Sequence, residues 1–189
     1  MASRSEDRLE VVRNTVAGGL VVGGTIAIGY FIIPIPMPSL PTVTDRLIFA
    51  LRCQIFNAVL LYAGIQVISL KRLFTQAMDP VSGRGQHHVE VHCRYAQNTL
   101  ESLVLSTFAN LVISTYIEET SMKIIPILVF LFVVGRITFW MGYLQHPIGR
   151  AFGMGVTMFG TWLSLYYAVF CVVWSGLGFR LPIDGQIVE

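Results

Sequence analysis

Charge is what this chain has least of. Asp, Glu, Lys and Arg make up 13% of its 189 residues, against 54% hydrophobic residues. An ordinary soluble domain carries about 25% charge, so the composition points away from that class and towards a membrane. The mean hydropathy of +0.65 agrees. The formal net charge is only +2, and its basic residues are scattered between apolar runs, which leaves no continuous basic surface for nucleic acid. Cysteine is also sparse. Cys53, Cys93 and Cys171 are odd in number, far apart and without CxxC spacing, so neither a disulfide framework nor a zinc site follows. His87, His88 and His92 have no cysteine or carboxylate that would complete a metal-ligand spacing, and no metal is expected there. A Gly-rich phosphate loop, an HExxH pair and a serine nucleophile elbow are all missing.

What the chain has is apolar length. Thr15 to Ile33 is 19 uncharged residues, enough to cross a bilayer. It is read as an uncleaved span, because no small-x-small cleavage site precedes the cluster Pro34, Pro36, Pro38 and Pro41. Leu47 to Leu70 is a second span, holding Arg52 near one end and Asn57 deeper. Thr99 to Ile117 is a third. Ile124 to Leu144, with Pro126 and Arg136 inside it, is a fourth, and Val156 to Leu177 a fifth. With no internal repeat, the expectation is an all-α membrane protein, one bundle of five spans. Its parts are residues 1–46 (tail, first helix and Pro-rich linker), a four-helix domain at 47–177 and a tail at 178–189 that holds Arg180. The 71–96 loop carries Lys71, Arg72, Arg84 and Arg94, and the 145–151 loop carries Arg150. The positive-inside rule puts these loops and the N-terminus in the cytoplasm and the C-terminal tail on the far side.

Charge is concentrated at the mouth of the third span. Arg94, Asn98 and Glu101 are four and three residues apart, so on a helix they project from one face. Such a face suits a zwitterion, with Arg94 for a carboxylate, Glu101 for an ammonium and Asn98 for peptide groups. Pairing of Arg94 with Glu101 to close a helix end is an equal alternative. Arg136 needs a polar partner inside the bundle, and Glu101 is expected to supply it. At the exit of the fourth span stand Tyr143 and Arg150. A helix continuing through this stretch would put both on one face, whereas Pro147 would break it.

In this order and spacing the motifs resemble the membrane-associated proteins in eicosanoid and glutathione metabolism (MAPEG), a family that includes microsomal glutathione transferases and leukotriene C4 synthase. Arg94, Asn98 and Glu101 match its R-x-x-x-N-x-x-E signature. Arg136, Phe139, Gly142 and Tyr143 fit its R-x-x-[YF]-x-x-G-Y pattern, and Lys71, Arg72 and Phe74 resemble the basic end of its first helix. The resemblance runs from about Leu47 to Leu177. It implies a four-helix bundle with one added N-terminal helix, assembled as a homotrimer in the endoplasmic reticulum or a related endomembrane. It further implies glutathione as co-substrate at a cytosol-facing subunit interface, a lipophilic electrophile or lipid as second substrate, and transferase or peroxidase chemistry. Position by position, Arg72, Arg94, Asn98, Glu101 and Tyr143 would bind glutathione, and Arg150 would be catalytic by stabilising its thiolate. Ser102 and Phe139 stand where the family's enzymes carry phenols. Together with the added span, which is closer to a divergent five-span branch, they support the alternative of a non-catalytic membrane scaffold, lipid-binding or trafficking protein. A transporter fits less well, because repeated broken helices are missing.

Overall fold

Prolines and caps divide the chain into helices more sharply than hydropathy does. The computed structural model describes residues 2–177 with the exception of 80 and 82; the C-terminal tail expected at 178–189, with Arg180, lies outside the described residues. Helix α1 spans Ala2–Phe31. It starts well before Thr15 because residues 2–17 hold no glycine or proline and are rich in helix-forming Arg, Glu and Leu. It stops ahead of Pro34, which disfavours helical backbone in the residue before it.

The second apolar run is α2 (Val43–Cys53) followed by α3 (Ile55–Leu73). Thr42 and Asp45 form a capping box, so the helix begins four residues before the expected Leu47. A tighter step at Gln54 separates α2 from α3: its N–H bonds to Leu51 O, three residues back, at 3.1 Å. The Gln54 side chain accepts from Asn57 Nδ2 at 2.9 Å. Helices α4 (Glu90–Tyr116), α5 (Ile124–Gln145) and α6 (Ala151–Ser175) follow. Pro126 is the third residue of α5, where its missing N–H costs nothing. Pro147 does break the chain: α5 ends at Gln145 and His146 is extended, so no continuous helix carries Tyr143 to Arg150.

The product is five helical rods, α2 and α3 counting as one, with no strand among the described residues. Four rods are long and apolar enough to cross a membrane: Arg4–Phe31, Val43–Leu73, Glu119–Gln145 and Ala151–Ser175. Helix α4 falls outside this set because polar residues run its whole length. Its Thr99, Ser106, Asn110 and Ser114 are buried among the other helices, and hydroxyls bond back to their own backbone, as Thr99 Oγ1 does to Tyr95 O at 2.7 Å. Asn57, Asn110 and Arg136 are all fully buried, as expected of polar groups that lipid could not satisfy.

Helix α6 is the hub, packing against α1, α5 and α4, while α2 and α3 lie along α4. The added α1 is built into the bundle at a close approach. A Cβ on Gly18 would lie 2.7 Å from Val156 N, and one on Gly155 would lie 2.7 Å from Thr15 O, so both positions require glycine. Val22, Ile127, Leu131 and Val156 then pack beside this contact.

Gly18→Leu should therefore push α1 off α6, at a cost of about 1–3 kcal/mol for overpacking. Cysteines placed at Val22 and Val156 should form a disulfide in the otherwise unchanged chain and fail to do so in Gly18→Leu. Equal cross-linking in both would refute the close contact.

Candidate functional site

Helix α4 carries most of one cleft. Cys93, Arg94, Gln97, Asn98 and Glu101 line it along one face, Phe139 of α5 forms part of its wall, and Arg150 and Met154 close it from α6; its volume is about 520 Å³. Four of the residues singled out by sequence, Arg94, Asn98, Glu101 and Arg150, thus meet at one place. Tyr143 is adjacent: the Arg150 guanidinium lies over its ring, 4.6 Å from the centroid. The two come together across the turn after Pro147, with Arg150 as the N-cap of α6, and not along one helix face. Arg72, in the last turn of α3, does not line the cleft, and its Nε is buried without a hydrogen-bond partner.

Pairing within the site differs from both sequence alternatives. Arg94 bonds not to Glu101 but to Glu90, one turn back: Nε and Nη2 donate to Glu90 Oε1 at 3.1 and 2.9 Å. That carboxylate raises the already high pKa of Arg94, chiefly through the hydrogen bond and then through its charge. The side chains are 63% and 53% exposed, so the pair can open for a ligand at little cost. Glu101 accepts from Gln97 Nε2 at 2.8 Å. Arg150 has no ion pair among the described residues.

Glu101 is not the partner of Arg136. The Arg136 guanidinium, 0% exposed, donates from Nη1 to Asn98 Oδ1 at 2.6 Å and from Nη2 to Ser102 Oγ at 3.1 Å. Phe139 and Phe132 cover it, 5.1 and 5.6 Å from centroid to Cζ. The reason is helical position: Asn98 and Ser102 are one turn apart on the buried side of α4, whereas Glu101 is exposed. Ser102 and Phe139, the two departures from the family's phenols, both contact this arginine. With Oδ1 occupied, Asn98 keeps its Nδ2 as a donor at the cleft.

An aromatic floor lies behind the cleft. Trp140 stacks on Tyr95 at 4.4 Å, and its Nε1 donates to His92 Nδ1 at 3.1 Å. His92 is 6% exposed. Burial first, then the positive charge of Lys71, hold its pKa below the ordinary imidazole value. His92 thus serves packing. Sequence reasoning did not include Cys93, Gln97, Phe139 or Met154 in the site. The Glu90–Arg94 and Gln97–Glu101 pairs were available as i,i+4 spacings, but nothing in the sequence placed Phe139 in the cleft wall or Met154 beside Arg150.

Fold and cleft together define an all-helical membrane protein with a charged recess at one end of its bundle. The chain belongs to the MAPEG family, whose pattern matches residues 49–170. It is similar to transmembrane protein 79 of Mus musculus, 30% identical over 151 residues, covering 80% of this chain and 38% of that protein. Transmembrane protein 79 of Bos taurus is 34% identical over 128 residues, covering 68% and 32%. These relatives form a MAPEG-like branch, the mattrin branch. The chain spans less than two fifths of the length of either relative. No solved structure matches significantly.

Two outcomes are expected. Asn98→Leu leaves the buried guanidinium with Ser102 alone and should lower stability by about 1–3 kcal/mol, read as thermal unfolding in detergent. His92 binds its proton less readily folded than unfolded, so stability should be full above about pH 6.5 and decline as pH falls below it. His92→Gln keeps an acceptor for Trp140 without a titrating group, and it should remove that part of the decline.

Proposed function

We propose that this chain is a membrane-bound glutathione-dependent enzyme of the transferase or peroxidase type, acting on lipophilic electrophiles. The observation that carries the proposal is the meeting of Arg94, Asn98, Glu101 and Arg150 on one cleft, three from α4 and one from the turn that caps α6. Glutathione is a peptide with two carboxylates and one ammonium. Arg94, released from Glu90, would take a carboxylate; Asn98 Nδ2, held in orientation by Arg136, would donate to a peptide carbonyl. One Glu101 oxygen is bonded to Gln97, which leaves the other for the ammonium. Arg150 would lie beside the sulfur. A guanidinium there lowers the thiol pKa and favours the nucleophilic thiolate. Tyr143, under that guanidinium, limits where its charge can point.

A single protomer leaves the exposed Arg94 and Glu101 beside a lipid-facing stretch of α4 that includes Leu100, Val104, Leu105 and Phe108. Charge next to hydrocarbon is costly, and a neighbouring protomer would remove the cost. The reading therefore includes a homotrimer, with the cleft at the subunit interface, open to the cytosol, and Arg72 contributed by the neighbour. An endomembrane such as the endoplasmic reticulum is part of the same reading. Ser102 and Phe139 offer no phenol to glutathione and are instead turned to Arg136. The same substitution would be found in a non-catalytic scaffold that keeps the bundle without the chemistry.

Kinetics with glutathione and a model aromatic electrophile separate the two. Arg150→Ala should lower kcat on the order of 100-fold with a small change in the glutathione KM, because its interaction grows as charge localises on sulfur. Arg94→Ala should raise that KM about tenfold and leave kcat near wild type, since a carboxylate clamp acts alike in ground and transition states. Arg150→Lys should recover only part of the loss, being a point charge without the guanidinium fork. No turnover by the wild-type chain, together with no glutathione binding, would leave the scaffold.

A further inference from the structure

Where α4, α5 and α6 meet in the interior, the seam between α4 and α6 is polar. Ser106 of α4 and Thr157, Thr161 and Ser164 of α6 are between 2% and 6% exposed, and all four line one small cavity of about 10 Å³. Counted along α4 at roughly 1.5 Å per residue, Ser106 lies about 7.5 Å beyond Glu101, deeper in the bundle than the cleft. The apolar side chains of Leu128, Phe132 and Val156 complete the walls. Gly160 is buried on the same cavity, yet a Cβ placed on it would meet nothing within 4 Å.

The four hydroxyls divide into two pairs. Thr157 Oγ1 donates to Gly153 O at 3.0 Å and Ser164 Oγ to Gly160 O at 2.9 Å, so both protons are used and lone pairs remain. Ser106 and Thr161 make no side-chain hydrogen bond to any of the described residues, so each keeps a proton to give. Within a membrane bundle an unbonded hydroxyl carries a desolvation cost that an apolar side chain of the same size does not. The cavity therefore presents two donors and two acceptors to whatever occupies it.

We infer that this cavity binds one ordered water molecule, which ties α4 to α6. The size fits, since a single water needs about 10–15 Å³ of such space and two to four polar partners. The bonding fits as well. A water accepts from Ser106 and Thr161 and donates to Thr157 and Ser164, which satisfies all four hydroxyls and the water itself. An anion would turn its charge on the two lone-pair groups. A metal cation would find no carboxylate in the walls, and the Arg136 guanidinium stands beyond Phe132, its Cζ 5.6 Å from that ring's centroid. Ser106 belongs to the helix that carries Arg94, Asn98 and Glu101, and the other three hydroxyls to the helix capped by Arg150. The water thus pins the two sides of the cleft in register, whatever the cleft binds.

The test is the sign of one substitution in two backgrounds, read as Tm of the full chain in detergent. In a dry cavity Gly160→Ala would raise Tm, because its methyl fills space and alanine is the better helix former. Over a bound water the same methyl displaces it and strands the Ser106 and Thr161 hydroxyls, so Tm should fall, on the order of 3 °C. With both donors removed, in Ser106→Ala/Thr161→Val, Gly160→Ala should instead raise Tm. A rise on the wild-type background would show a dry cavity, and a fall on both would show a steric clash; either overturns the proposal. Water-edited solid-state NMR in nanodiscs reads the site directly and stands even if the double variant does not fold. Magnetisation should pass from water to the Thr161 methyl in wild type and be lost in Gly160→Ala, while transfer to the exposed Glu101 persists. Transfer to Thr161 that is absent in wild type, or unchanged in Gly160→Ala, would equally overturn it.

Discussion

The arrangement of this bundle rests on one buried cation. Arg136 is fully enclosed, so its guanidinium must find acceptors among the helices or not be there at all. It finds them on α4, at Asn98 and Ser102, and its faces are covered by Phe132 and Phe139 of its own helix. That requirement fixes the rotation of α4 against α5. Once Asn98 and Ser102 face Arg136, Arg94, Gln97 and Glu101 fall on the neighbouring, exposed flank of α4, about 60–120° further round at roughly 100° per residue. The cleft opens on that flank of the same helix. Its charged face is in this sense a consequence of how the arginine behind it is satisfied.

Much of the helical plan could be read from the chain, because a membrane bundle writes its elements as uninterrupted apolar length. Arg94, Asn98, Glu101 and Arg150 could be singled out because charge is rare enough here for each ionic side chain to stand out. Side-chain partnership was harder. Glu101 was the expected partner of Arg136, but a carboxylate that can bond to Gln97 in its own helix at the surface avoids a desolvation that two neutral side chains do not incur. The Tyr143–Arg150 contact was expected through a continuous helix and is made through a turn, since Pro147 ends α5 and hands the chain to α6. Of the rim contributed by α5 and the start of α6, Arg150 was legible, but the places of Phe139 and Met154 were not. Which faces of different helices meet depends on backbone approach, and in the α1–α6 contact that approach is decided by single glycines.

The added helix changes the character of the molecule. A simple anchor would need no glycines at positions 18 and 155, and it would leave α6 as the outer surface of the bundle. Instead α1 covers α6 over the first half of its membrane length and stands off from α4 over the second. One end of the bundle therefore carries a polar, charged recess and the other a largely apolar one. The polar stripe along α4, buried throughout, separates the two.

The most direct test of the functional reading looks at sulfur itself. A thiolate absorbs in the near ultraviolet where a thiol does not, so glutathione added to the purified chain near neutral pH reports its own ionisation. The account predicts a saturable thiolate signal in wild type that is lost in Arg150→Ala, while glutathione still binds. A signal of equal size in Arg150→Ala, or bound glutathione that stays a thiol in wild type, would contradict it.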